Sequence, residues 1–172
     1  MQIWNYIEQG GAVMYILLAL NMIGFAIMLT KFLLFFSERK RCDEVASSLQ
    51  QKLNALVPKA EQSTLLELAR GELLQYISSI ERGLNTVKII AAISPLLGLL
   101  GTVLGVLIAF QVMSQSGLSN PSAFARGISM ALITTVGGLV VAIPHYIGHN
   151  YLIGMLDRLE SNIEKSLLSK IL

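Results

Sequence analysis

The sequence predicts an all-α membrane protein: three transmembrane helices with long cytoplasmic helical extensions, the N-terminus periplasmic and the C-terminus cytoplasmic. Three observations carry that prediction. Hydrophobic residues make up 53 % of the 172 residues and charged ones only 14 %, with a mean hydropathy of +0.62, too apolar for an ordinary soluble domain of this length. Three stretches reach the roughly 20 apolar residues that a helix needs to cross a hydrocarbon core of about 30 Å. Lys and Arg gather on one side of all three.

Residues 1–11 form a periplasmic N-terminal tail without Lys or Arg, in which Trp4 and Tyr6 suit an interfacial aromatic belt. Residues 12–36 form the first span. It is too long for a signal-peptide core and is followed by Ser37, Glu38 and Arg39 rather than by a small-residue cleavage site, so it is expected to be retained. Within it, Asn21 suits an interhelical hydrogen bond and Lys31 a snorkelling position at the interface. Residues 37–87 are expected to form a cytoplasmic helical region continuous with the spans. Glu38 to Val57 contains no Pro or Gly, and Pro58 breaks the pattern. Thr64 with Glu67 makes a capping-box pattern. Leu65, Leu68, Leu73, Ile77, Ile80, Leu84 and Val87 then recur at helical spacing and lead into Ile89, which predicts one long helix entering the membrane.

Residues 88–113 form the second span, 114–126 a short periplasmic loop with its turn cluster at Ser116 to Ser122, and 127–153 the third span. Residues 154–172 form a cytoplasmic C-terminal amphipathic helix. Its stripe of Leu152, Leu156, Leu159, Ile163 and Leu167 predicts packing against the other cytoplasmic helices. Orientation follows from Lys31, Arg39, Lys40, Arg41, Arg82, Lys88, Arg158, Lys165 and Lys170 on one side, with Arg126 the exception at the outer mouth. The net charge of +2 reflects this topology and gives no indication of nucleic acid. The single cysteine, Cys42, excludes a disulfide framework and a cysteine metal site.

The second and third spans share a small-residue ladder around a threonine. It runs Ser94, Gly98, Thr102, Gly105, Ala109 in one and Gly127, Ala131, Thr135, Gly138, Ala142 in the other. At about 100° per residue these positions fall within about 80° of one helical face. Such stripes serve two ends: close packing of helices, or the wall of a path along which hydroxyls offer hydrogen bonds away from water. Pro95 and Pro144 either kink the helices or free carbonyls along such a path.

Conventional catalytic signals are absent: no GxSxG, no phosphate-binding loop and no zinc-ligand spacing. The expectation is a protein that is not an enzyme and holds no cofactor or metal. His145 and His149 stand one helical turn apart at about −80° and −40° from Thr135, either an interfacial pair or a titratable proton exit toward the cytoplasm. Thr102, Thr134 and Thr135 can orient or relay a proton but cannot store its charge. A proton-driven machine needs an ionisable group inside the membrane, and no span contains an Asp or Glu. Either the path is not protonic or the carboxylate arrives on another protein.

The runs from Ser94 to Gly105 and from Gly127 to Thr135, continued by Gly138-Leu139 and Val141-Ala142-Ile143-Pro144, resemble the MotA/TolQ/ExbB proton-channel family. Three spans with the N-terminus outside are similar to the ExbB branch, with TolQ next. The resemblance implies an inner-membrane pentamer around a single-span ExbD/TolR-like partner whose transmembrane Asp carries the proton. It places Thr102 and Thr135 opposite that Asp and implies that proton flow energises TonB-dependent transport through a TonB-like protein, or the Tol-Pal system for a TolQ-like member. One charge crossing 100 mV releases about 2.3 kcal/mol, enough for a few protons to bias a conformational step. A non-conducting membrane scaffold is the alternative. Met130 departs from the pattern, since many relatives carry Glu there.

Overall fold

The computed structural model describes residues 2–39, 41–56, 62–116 and 121–171. The described elements are all α-helices: α1 (Gln2–Gln9), α2 (Gly11–Arg39), α3 (Cys42–Leu56), α4 (Gln62–Glu81), α5 (Leu84–Ser116) and α6 (Pro121–Ile171). Three of them, α2, α5 and α6, are long and apolar enough to cross a membrane. The fold is that of a multi-pass membrane protein.

The chain divides into two compact units, the first of Met1–Ala26 and Thr86–Gly148, the second of Ile27–Asn85 and His149–Leu172. In the first, α2 and α6 run parallel: Met14 meets Gly137 and Phe25 meets His145. The strand of contacts between α5 and α6 runs the other way, from Ser94 against Gly138 to Ala109 against Gly127, so those helices are antiparallel. Val13, Leu17, Ile90 and Val141 are buried together, with Leu20 and Leu97 packed on them. Leu99, Val103 and Leu107 of α5 and Leu132, Val136 and Val140 of α6 face outward, the arrangement expected where lipid tails are as apolar as Leu.

Both internal prolines lie within unbroken helices. A neighbouring side chain makes a bond to a carbonyl one turn back in each case: Ser94 Oγ donates to Ile90 O at 2.7 Å, and His145 Nδ1 donates to Val141 O at 2.7 Å. Side chains of this kind help satisfy the backbone around a membrane proline.

In the second unit, α3, α4 and the far end of α6 bury one apolar face each. Ala46, Leu49 and Leu53 come from α3, and Ala69, Leu73 and Ile77 from α4. All five stripe residues of the α6 tail, Leu152, Leu156, Leu159, Ile163 and Leu167, are buried. Polar bonds tie this tail to α3: Gln50 Nε2 donates to Lys170 O at 2.7 Å, Ser166 Oγ to Asp43 Oδ1 at 2.7 Å, and Lys170 Nζ to Asp43 O at 3.0 Å.

The structure corrects the expectation that residues 37–87 continue the spans. α2 ends at Arg39 and α3 begins afresh at Cys42. The Arg41 N–H donates to Glu38 O at 2.9 Å, and the Arg41 carbonyl accepts from the Val45 N–H at 2.9 Å. Arg41 therefore closes one helix and caps the next. The charges agree with this break: Arg39 is in the last turn of α2, and Asp43 and Glu44 are in the first turn of α3. Lys40 and the Pro58 break lie outside the described residues.

Nor does one helix run from residue 64 into the second span. α4 stops at Glu81, Arg82 and Gly83 turn, and α5 starts at Leu84. Gly83 has φ +96, the left-handed conformation that ends helices and that glycine adopts without strain. Lys31 Nζ donates to Ile80 O at 2.8 Å, so this lysine caps the last turn of α4 rather than merely snorkelling. α4 also begins before Thr64, which stands inside the first turn instead of at the cap. The expected N-terminal tail holds the helix α1 (Gln2–Gln9), and Gly11 turns the chain into α2 with φ +60. The loop expected over residues 114–126 is shortened by α5 reaching Ser116 and by α6 starting at Pro121, a favoured first helical residue; residues 117–120 lie outside the described residues.

Two predictions follow from these joints. Gly83→Ala must place a Cβ at positive φ, a cost of about 1–2 kcal/mol, and should lower the thermal midpoint of the detergent-purified protein, whereas an unchanged midpoint would refute the cap. Tyr76 donates to Glu38 Oε2 at 2.8 Å, and burial, followed by that bond, raises its pKa above the usual 10. The folded state thus favours the neutral phenol. Its contribution is fully present below about pH 10 and is lost as pH rises above that value. Urea midpoints measured from pH 8 to 11 should fall more steeply for the native chain than for Tyr76→Phe.

Candidate functional site

The two ladders lie face to face in one chain. A Cβ on Gly98 would sit 2.9 Å from Thr134 O and 3.3 Å from Gly138 Cα; one on Gly105 would sit 2.7 Å from both Gly127 O and Ala131 N; one on Gly138, 2.6 Å from Ser94 O. Only glycine allows this approach, because the atoms it would strike are backbone. Ser94, Ala109, Ala131 and Ala142 are buried, as are Gly98, Gly105, Gly127 and Gly138. The stripes are therefore spent largely on α5–α6 packing.

At the middle of the seam Thr102 Oγ1 and Thr135 Oγ1 are hydrogen-bonded to each other across the helices. Thr102 Oγ1 also lies 3.2 Å from Gly98 O and 3.2 Å from Ala131 O, and Thr135 Oγ1 3.3 Å from Ala131 O. Both threonines are half-buried. The pair is a polar joint held by carbonyls, able to donate and accept but not to hold charge.

Thr134 occupies a different environment. It is fully buried, its side chain fills the space over Gly101, and its hydroxyl bonds to Met130 O and Ala131 O at 3.0 Å each. It belongs to the helix contact rather than to the half-exposed pair. Gly101 sits one residue from the ladder's Thr102, and its role is visible only once the register between α5 and α6 is known.

His145 is also fully buried. Its ring lies over Gly24, where any Cβ would collide with Nε2 and Cδ2. Phe25 meets it edge-on, with ring centroids 5.0 Å apart at 70°. With Nδ1–H donated to Val141 O, Nε2 is left without a hydrogen-bond partner. The helix pair α2–α6, not the threonine pair, claims this histidine. His149, one turn on, is half-buried. Among the described residues no cluster of three or more His, Cys, Asp or Glu could hold a metal.

Residues 40–165 match the profile of the MotA/TolQ/ExbB proton channel family. The chain belongs to that family. It is similar to biopolymer transport protein exbB1 of Vibrio cholerae, 41 % identical over 86 residues that make up 49 % of this chain and 38 % of that protein. It is similar also to biopolymer transport protein ExbB of Aquifex aeolicus, 37 % identical over 79 residues, 46 % of this chain and 53 % of the relative. For ExbB of Helicobacter pylori the figures are 39 % over 78 residues, 45 % and 54 %. The chain spans about half or less of the length of these curated relatives. Within the MotA/TolQ/ExbB family it is most like ExbB.

Substitutions of glycine test the seam directly. Gly138→Ala drives a Cβ against Ser94 O and should destabilise the chain by about 1–3 kcal/mol. Gly154→Ala, whose Cβ meets nothing within 4 Å, should be neutral or stabilising by up to about 1 kcal/mol. Gly24→Ala should destabilise, and adding His145→Ala should restore part of the loss; additive losses in the double variant would contradict the contact.

Proposed function

We propose that this chain is the ExbB-like pore subunit of a proton-driven motor in the bacterial inner membrane. The observation that carries the reading is the half-buried Thr102–Thr135 pair, set in spans that contain no Asp or Glu. Two adjoining hydroxyls can orient a proton in transit, but the charge needs a group that titrates. The carrier is then a carboxylate on another helix, the Asp of an ExbD/TolR-like single-span protein. Several copies of this chain, as a pentamer, would set their threonine pairs around that partner. A TonB-like protein would pass the work to transport across the outer membrane.

In this arrangement the N-terminus is periplasmic and the C-terminus cytoplasmic, as the basic residues beyond the three spans favour. The chain supplies wall and hydrogen bonds and performs no covalent catalysis. Thr134 and His145 act in helix packing, and His149 stands half-buried one turn beyond His145. Met130 brings no carboxylate to the outer part of α6, which leaves the partner's Asp as the one membrane acid in the path. A TolQ-like member would work by the same chemistry and differ in the protein it drives.

The burial of both ladders within one chain favours a second reading, a scaffold in which the stripes only pack helices. Proton flux separates the two. With the complex reconstituted in vesicles under a potential, Thr102→Ala and Thr135→Ala should each lower proton uptake tenfold or more while the complex still assembles, and Ser at either position should retain part of it. Flux unchanged by both alanines would leave the scaffold.

A further inference from the structure

The second unit contains an open cavity of about 470 Å³ between α2 and α6. Its wall changes character with depth. Phe32, Phe36 and Tyr151 line the part that belongs to the apolar spans; Arg39, Arg158 and Lys165 line the part beyond them. At about 1.5 Å rise per residue, Arg39 lies one turn past Phe36 and Arg158 two turns past Tyr151, a depth comparable with the polar headgroup layer outside the hydrocarbon core.

No Asp or Glu lines the cavity, and among the described residues none of these three cations forms an ion pair. Several carboxylates of this unit are engaged elsewhere: Glu38 accepts from Tyr76, Asp43 from Ser166, Glu44 and Glu72 pair with Arg41 and Lys52, and Glu164 lies 4.0 Å from Arg70. Positive groups brought together around one concavity repel each other unless an anion shares it.

We infer that this cavity binds the headgroup of an anionic phospholipid. The guanidinium groups of Arg39 and Arg158 suit a phosphodiester, which accepts paired N–H donors. Ser161 and Asn162, also on the wall, offer neutral bonds to a glycerol headgroup. The aromatic upper wall receives the start of an acyl chain. A soluble phosphate ester shares the headgroup chemistry but leaves that wall unfilled, so the lipid is the occupant. Basic pockets of this kind, at the membrane face where Lys and Arg gather, are where anionic lipids concentrate. The inference is independent of any proton path.

The test uses the purified full chain, delipidated in detergent, with phosphatidylglycerol, phosphatidylcholine or glycerol 3-phosphate added, and bound lipid read by native mass spectrometry. Phosphatidylglycerol should be retained at least tenfold over phosphatidylcholine. Arg158→Gln and Arg39→Gln should each cut that preference several-fold while leaving helix content and the melting midpoint in phosphatidylcholine unchanged. Lys165→Gln, at the solvent end, supplies the same comparison if an arginine variant does not fold. Equal retention of the two lipids, or a preference unchanged in all the variants, would overturn the proposal. Displacement of the lipid by an equal concentration of glycerol 3-phosphate would also overturn it and assign the site to a soluble anion.

Discussion

The close approach of α5 and α6 is the constraint on which the rest of the membrane part depends. Lipid supplies no hydrophobic drive between helices, so association relies on packing and on hydrogen bonds that form only at short range. Gly98, Gly105, Gly127 and Gly138 remove the side chains that would hold the backbones apart. That contact fixes the register, and the register sets Thr102 beside Thr135. A similar device docks α2 on α6, where Gly24 receives His145 and Gly137 receives Met14.

Much of this was legible in the sequence because it is local and periodic. Three apolar runs of spanning length marked the membrane helices, the two ladders marked the faces that meet, and the five-residue stripe from Leu152 to Leu167 marked the buried face of the α6 tail. The joints were less visible. Arg41 breaks the chain by charge and backbone bonding without Gly or Pro. Gly83 was a plain stop signal, but the apolar residues on both sides keep helical spacing across it, and its cap comes from Lys31, far away in the chain. Periodicity also put His145 on the ladder's face extended, yet its ring packs over Gly24 and against Phe25 of α2.

The ladders themselves carry two meanings at once. Burial shows that most of their residues pack helix on helix, so the smooth stripe is not free to line a channel along its length. What remains open is the threonine pair at the seam's middle, a neutral joint in a segment without acids. In the proposed function, set within a proton channel family, such a joint is the half of a relay that cannot hold charge, and the titratable group would come from outside the chain.

The most direct measurement is cross-linking in native membranes from a Thr102 position carrying a photoreactive residue, with the captured protein sequenced. The account predicts a single-span protein whose membrane segment bears an Asp at the depth of the cross-link, recovered in fewer copies than this chain. Proton conduction by the chain alone, or with a captured partner that has no acid in its span, would contradict it.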